Sequence, residues 1–108
     1  MNNTIGLKII PVCVSAKCIG VVRKHCSLSI ADIKKAITEE QYVLSCDYID
    51  EEGIADILQC YHTLYDAGIN AQLFEHDRPT TIEFLNNLLQ WYKEIAKQID
   101  DEIEAESN

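Results

Sequence analysis

Glycine is scarce in this chain, four residues in 108, and no two of them are near each other. Loops that cradle phosphate need several glycines close together, so nucleotide-binding loops of that kind are excluded. A Gly-x-Ser-x-Gly elbow and a His-Glu-x-x-His helix are missing too, which removes the common hydrolase and metalloprotease signatures. Long apolar runs are also absent. None approaches the roughly 18 residues that a membrane-crossing helix requires. The opening Met1-Asn2-Asn3-Thr4-Ile5-Gly6 lacks the basic-then-apolar pattern of a secretory signal, so the expected location is the cytoplasm. Positive charge is sparse: nine Lys and Arg face eighteen Asp and Glu, a net charge of −9. That balance repels nucleic acid and anionic membranes and favours basic protein partners.

What the chain does contain is ordinary for one folded domain. Apolar residues make up 47% and charged residues 25%, a mixture too apolar for disorder. A domain of this size buries roughly two-thirds of its unfolded surface. No internal repeat or low-complexity linker divides it, so residues 1–108 read as a single domain. The five cysteines, Cys13, Cys18, Cys26, Cys46 and Cys60, are an odd number in a regular chain, which fits free thiols packed as small hydrophobes in a reducing compartment. Charge is unevenly distributed. Residues 1–38 hold Lys8, Lys17, Arg23, Lys24, Lys34 and Lys35 against Asp32 alone, a balance of +5, which leaves −14 on residues 39–108.

The apolar pattern predicts an α+β fold with strand, helix, helix, strand, helix and strand over residues 5–75, followed by a long C-terminal helix. Residues 5–14 alternate as a first strand, loosened by Pro11. Ile19, Val22 and Cys26 recur at helical spacing. A serine before Ile30, Ile33 and Ile37 fits the cap of a second helix. Residues 41–49 are dense in Tyr, Val and Ile, as a half-buried strand requires. Asp50 caps a third helix whose stripe of Ile54, Ile57, Leu58, Tyr61 and Leu64 ends at Ala67-Gly68. Ile69, Ala71 and Leu73 alternate as a third strand. His76 to Pro79 read as a loop. Thr80 and Glu83 form a capping box for the last helix, residues 79–106. Its acidic end, Asp100 to Glu106, opposes the helix dipole, so fraying is expected there. Together these give a three-stranded antiparallel sheet with helices on one face.

Two segments carry a family pattern. Residues 18–34, Cys-Ile-Gly-Val-Val-Arg-Lys-His-Cys-Ser-Leu-Ser-Ile-Ala-Asp-Ile-Lys, align without a gap on a helical hairpin with basic residues at Arg23 and Lys34. Residues 64–73, Leu-Tyr-Asp-Ala-Gly-Ile-Asn-Ala-Gln-Leu, match a helix-to-strand passage. Both resemble the C-terminal domain of the bacterial ribosomal stalk protein, and the order of elements agrees. The resemblance implies that Arg23 and Lys34 contact translation factors. Ser27 and Ser29 stand where that family has glycines, and Gly20 and Ala31 where it has basic residues. The adaptor that delivers N-end-rule substrates to the Clp protease has a similar arrangement, but its binding-pocket motif has no convincing match here.

Catalytic constellations do not form from these residues. His25 with Cys26, and Cys60 with His62, are close in sequence, but adjacent helical residues point about 100° apart. Cys18, His25, Cys26 and Cys60 lack the paired Cys-x-x-Cys spacing of a tetrahedral site. No catalytic residue, metal or cofactor is therefore expected. His62 and His76 read as surface histidines.

The candidate binding face is acidic: Glu51, Glu52, Asp56, Gln59 and Asp66 on the third helix, extended by Glu75 and Asp77. Tyr48, Tyr65 and Trp91 are candidate aromatic anchors. The expected function is that of an immunity-type protein, a monomer that binds a basic bacterial toxin domain, a nuclease such as a ribonuclease, and blocks it by charge complementarity. The alternative is an adaptor or translation-associated module acting through Arg23 and Lys34.

Overall fold

The computed structural model describes residues 3–106, with side chains described through residue 97. Four strands and four helices follow the order β1 (Thr4–Lys8), α1 (Ala16–Arg23), α2 (Ile30–Thr38), β2 (Leu44–Asp47), α3 (Glu51–Asp66), β3 (Gln72–Glu75), β4 (Arg78–Thr80) and α4 (Ile82–Glu106). The sheet is wholly antiparallel in the order β2-β1-β3-β4. The α+β class stands, but the sheet has four strands rather than three.

The added strand lies where the sequence reads as a loop. Glu75 pairs with Arg78 across a two-residue turn in which His76 and Asp77 have φ values of 49° and 64°. Two successive left-handed residues make the hairpin turn whose twist matches that of the flanking strands. Asp tolerates this conformation through its short polar side chain. Pro79 is accommodated because β4 is an edge strand, where a missing N–H costs no ladder bond. As a result Thr80 belongs to β4, and α4 starts at Ile82. Its cap is Thr81, whose Oγ1 accepts from Phe84 N at 3.2 Å.

The other boundaries differ by smaller amounts. β1 stops at Lys8, short of Pro11, and α1 is capped by Ser15, whose Oγ accepts from Cys18 N at 3.2 Å. Ser29 Oγ accepts from Asp32 N at 3.1 Å and opens α2, and Asp50 Oδ1 accepts from Gly53 N at 2.9 Å and opens α3. At the far end of α3, Gly68 takes φ +78°. Gly68 N bonds Tyr65 O and Ile69 N bonds Leu64 O, each at 2.9 Å. This closing motif satisfies carbonyls that the helix leaves open, and buried Ile69 and Leu64 provide its apolar contact. β3 therefore begins at Gln72 rather than Ile69. α4 is helical to Glu106, and the side chains of Asp100 to Glu106, where fraying is expected, lie outside the described residues.

One core joins the layers. Ile5 and Leu7 of β1 and Leu73 of β3 meet Val22 of α1, Ile33 and Ile37 of α2, Ile54 and Leu64 of α3 and Leu85 of α4. The pleat sends alternate residues to the other face. There Gly6 and Phe74 stand opposite each other, and the ring of Tyr42 covers them. A Cβ on Gly6 would sit 2.4 Å from Tyr42 Cδ1, so only glycine lets the ring lie this close. Lys8 Nζ sits 5.0 Å from the Tyr42 centroid and 4.8 Å from that of Phe74, capping the pair by cation–π attraction. No described helix is long and apolar enough to cross a membrane.

Candidate functional site at the β2–α3 turn

β2 leaves the sheet through a tight turn. Asp50 N donates to Asp47 O at 3.0 Å, which places Tyr48 and Ile49 at its two central positions. Ile49 is 78% exposed, the most exposed large apolar side chain among the described residues. Asp47 and Asp50 bracket it, and Glu51 and Glu52 begin α3 immediately after. Their carboxylates suit a helix N-terminus, where the dipole favours negative charge. An apolar knob thus stands inside an acidic rim.

Neighbouring groups register that negative field. Burial, then the charges of Asp50 and Asp47, push the Cys46 thiol up to about 12. Burial also raises the Tyr92 phenol, with Tyr48 and Glu51 adding to the shift. The turn is held from three sides. Tyr48 N donates to Asn3 O at 2.9 Å, Tyr92 Oη donates to Tyr48 O at 2.7 Å, and the Tyr48 ring stacks on His76 with centroids 4.7 Å apart. A shallow cleft of about 500 Å³ lies beside the knob, lined by Asn3, Asp47, Tyr48, Ile49 and His76.

The structure gathers only part of the acidic set at this end. Glu51 and Glu52 belong to the rim, with Asp47, Ile49 and Asp50 added by the fold. Asp77 is in the hairpin turn beyond His76, and its Oδ1 accepts from Tyr42 Oη at 2.5 Å. Glu75 precedes that turn and pairs with Arg78 at 3.5 Å. Asp56 lies farther along α3 and is joined to His25 of the α1–α2 connection, Oδ1 to Nδ1 at 2.6 Å. Gln59 is exposed beyond it. Asp66 ends the helix, about 22 Å from Glu51 at the usual rise per residue. Tyr48 is half-buried and belongs to the site, whereas Tyr65 and Trp91, 71% and 55% exposed, lie elsewhere. Ile49 carried a weak signal in the sequence, because it reads there as the last residue of a strand and not as the tip of a turn.

Arg23 and Lys34 come together at a separate place. They line one groove between α1 and α2, of about 270 Å³, with Val14, Ala16, Ile19, Gly20 and Ile30. Neither cation has an acidic partner among the described residues.

The thiols divide by environment. Burial holds Cys18 at about 11 and Cys60 at about 12. Cys13 is lowered instead, first by the backbone N–H of Ser15 and then by its hydroxyl, which lies 3.6 Å from the sulfur. Among the described residues no group of three or more His, Cys, Asp or Glu side chains could hold a metal ion.

Comparison with protein-family models, with curated proteins and with solved structures finds no match. The resemblance to the ribosomal stalk domain rests on the residue pattern of 18–34 and 64–73.

Proposed function

We infer that this chain is an immunity-type protein that binds and neutralises a basic toxin domain of nuclease type through the acidic turn around Ile49. The observation that carries the reading is the exposure of Ile49 at 78% inside the rim of Asp47, Asp50, Glu51 and Glu52. A nuclease that holds an anionic backbone presents cations around its cleft. The rim matches that charge and steers encounter, while Ile49 supplies an anchor that loses its water on docking. Occlusion follows from occupancy of the cationic surface and requires no chemistry from this chain.

Capture at low salt from the native cytoplasm, with elution by raised salt, tests the reading, because screening weakens a contact made mainly by charge. One small basic protein should elute in stoichiometric amount, and its nuclease activity should return on separation. Glu51→Lys with Glu52→Lys should weaken its binding at least tenfold, mainly through a slower on-rate. Ile49→Ala should weaken binding through a faster off-rate, at about 1–3 kcal/mol for a central anchor. Recovery of ribosomal particles, elongation factors or a protease, with sensitivity to Arg23→Glu and Lys34→Glu, would replace this reading by the adaptor one.

A further inference from the structure

Two thiols of this chain meet at the entrance to α1, and the Ile49 turn makes no use of them. Cys13 lies in the irregular segment that joins β1 to α1, and Cys18 is in the first turn of the helix. Ser15, the cap between them, touches both. Its Oγ accepts from Cys18 N at 3.2 Å and lies 3.6 Å from Cys13 Sγ. The two cysteine side chains are also hydrogen-bonded to each other, with the Cys18 S–H donating to the Cys13 sulfur. A disulfide needs its two sulfurs brought together from facing Cβ atoms. Here Cys18 stays fixed on α1, and the irregular segment before Ser15 takes up the adjustment.

The surroundings of the two thiols differ as those of an attacking and a resolving thiol must. Cys13 is partly exposed between Val12 and Val14, which are 48% and 45% exposed and present an uncharged approach to its sulfur. The backbone N–H of Ser15 and then its hydroxyl favour the thiolate of Cys13. The first turn of α1 carries no acidic side chain to oppose a negative sulfur at that helix end. Cys18 is fully buried, so reagents in solution are kept from it while Cys13 is in contact with it.

We propose that Cys13 and Cys18 form a peroxide-reactive dithiol, in which Cys13 attacks a small hydroperoxide and Cys18 completes an intramolecular disulfide. In the first step the Cys13 thiolate attacks one peroxide oxygen. An S–O bond forms as the O–O bond breaks, and the departing alkoxide or hydroxide takes up the proton that Cys13 released on ionising. Cys13 is then a sulfenic acid, oxidised by two electrons, and the peroxide has been reduced by two. In the second step the Cys18 sulfur attacks the Cys13 sulfur. The S–S bond forms, the S–O bond breaks, and the hydroxyl leaves as water with the Cys18 proton. Two thiols and one hydroperoxide thus give one disulfide, one alcohol and one water, the alcohol being a second water for hydrogen peroxide. A dithiol reductant reverses the change by exchange. The pair stands apart from the Ile49 turn and does not rest on the immunity reading.

Titration of the full reduced chain with hydrogen peroxide at neutral pH, followed by alkylation and mass mapping, tests the proposal. Free thiols should fall from five to three, with one disulfide between Cys13 and Cys18, and dithiothreitol should restore all five. Cys18→Ala should halt the reaction at a Cys13 sulfenic acid, which dimedone captures. Cys13→Ser, outside every helix and strand, should abolish both products with unchanged circular dichroism. If Cys18→Ala does not fold, the wild-type map and Cys13→Ser decide. A disulfide elsewhere or between two chains overturns the proposal, as does oxidation of wild-type Cys13 beyond sulfenic acid with no disulfide. Peroxide consumption no faster than that of the urea-unfolded chain also overturns it.

Discussion

Tyr42 and Asp77, 35 positions apart, meet across the open face of the sheet: the phenol donates to the carboxylate at 2.5 Å while its ring covers Gly6. The bond ties the segment before β2 to the β3–β4 turn, so the aromatic cover also fixes the edge hairpin. Tyr42→Phe should remove a hydrogen bond to a charged group and cost about 1.5–3 kcal/mol. Gly6→Val should cost more, because its side chain must displace the ring. Urea unfolding with an unchanged m-value for Tyr42→Phe checks the first, and near-ultraviolet circular dichroism reads loss of the ring's fixed position in the second.

Alkaline pH should destabilise the fold. In the folded state burial raises Cys46 and Cys60 from 9.0 to about 12 and Cys18 to about 11. Burial, and then the bond to Asp77, raise Tyr42 from 10.0 to about 12. The unfolded chain loses these protons first, so stability present below pH 9 falls as pH climbs through 9 to 12. Unfolding midpoints at pH 8, 9.5 and 10.5 should decline in that order. Cys60→Ala should flatten the decline even if its midpoint at pH 8 is lower.

Thiol labelling should follow the same division. Cys13 is partly exposed and has a lowered pKa, so its thiolate should react first with iodoacetamide at neutral pH. Cys18 and Cys60 are buried and should react only after unfolding. Peptide mass mapping over a time course gives the order directly, and early labelling of Cys60 would contradict this packing.

Gly68→Ala should cost about 1 kcal/mol, through the backbone alone. Its φ of +78° strains any residue with a Cβ, whereas the space around it is open. Gly53 is the opposite case. A Cβ there would lie 2.6 Å from both Asp50 Oδ2 and Cys46 Cβ, so Gly53→Ala should disturb the α3 cap and the Ile49 turn with it. Thermal unfolding of the two variants, measured together, should rank Gly53→Ala as the more damaging.

Where local chemistry decides structure, the residues are readable in order. Ser29 and Asp50 cap through their side-chain oxygens and Gly68 through its positive φ, and Ile54, Ile57, Leu58 and Leu64 of the α3 stripe are buried as their spacing requires. β4 was hidden because a His-Asp turn lacks the usual glycine, and because Pro79 argues against a strand unless that strand is known to be an edge. Ser15 was missed as a cap because Val12, Cys13 and Val14 continue the apolar run of the first strand up to it. The site was legible as composition but not as geometry. The carboxylates of α3 are evident in the sequence, yet whether Asp56 faces solvent depends on His25, 31 residues away, and no period in either helix encodes that meeting.

Asp56 and His25 also lend themselves to a direct measurement. His25 is largely enclosed and Asp56 is its hydrogen-bond partner, so Asp56→Ala leaves an imidazole nitrogen with lost solvation and should cost about 1–3 kcal/mol. Asp56→Asn, which retains an acceptor of similar shape, should recover part of that loss. Equal losses in the two variants would show that the charge of Asp56, and not its acceptor oxygen, holds the α1–α2 connection to α3.

The bracing of Tyr48 bears on the recognition proposed for its neighbour Ile49. With its N–H, carbonyl and ring each engaged, by Asn3, Tyr92 and His76, the turn that presents Ile49 is already ordered before anything arrives. For the partner proposed above, binding then costs less, because the entropy of ordering this turn has already been lost on folding. Cutting one brace, as in Tyr92→Phe, would leave every contacting atom of the knob and rim in place and still loosen the grip.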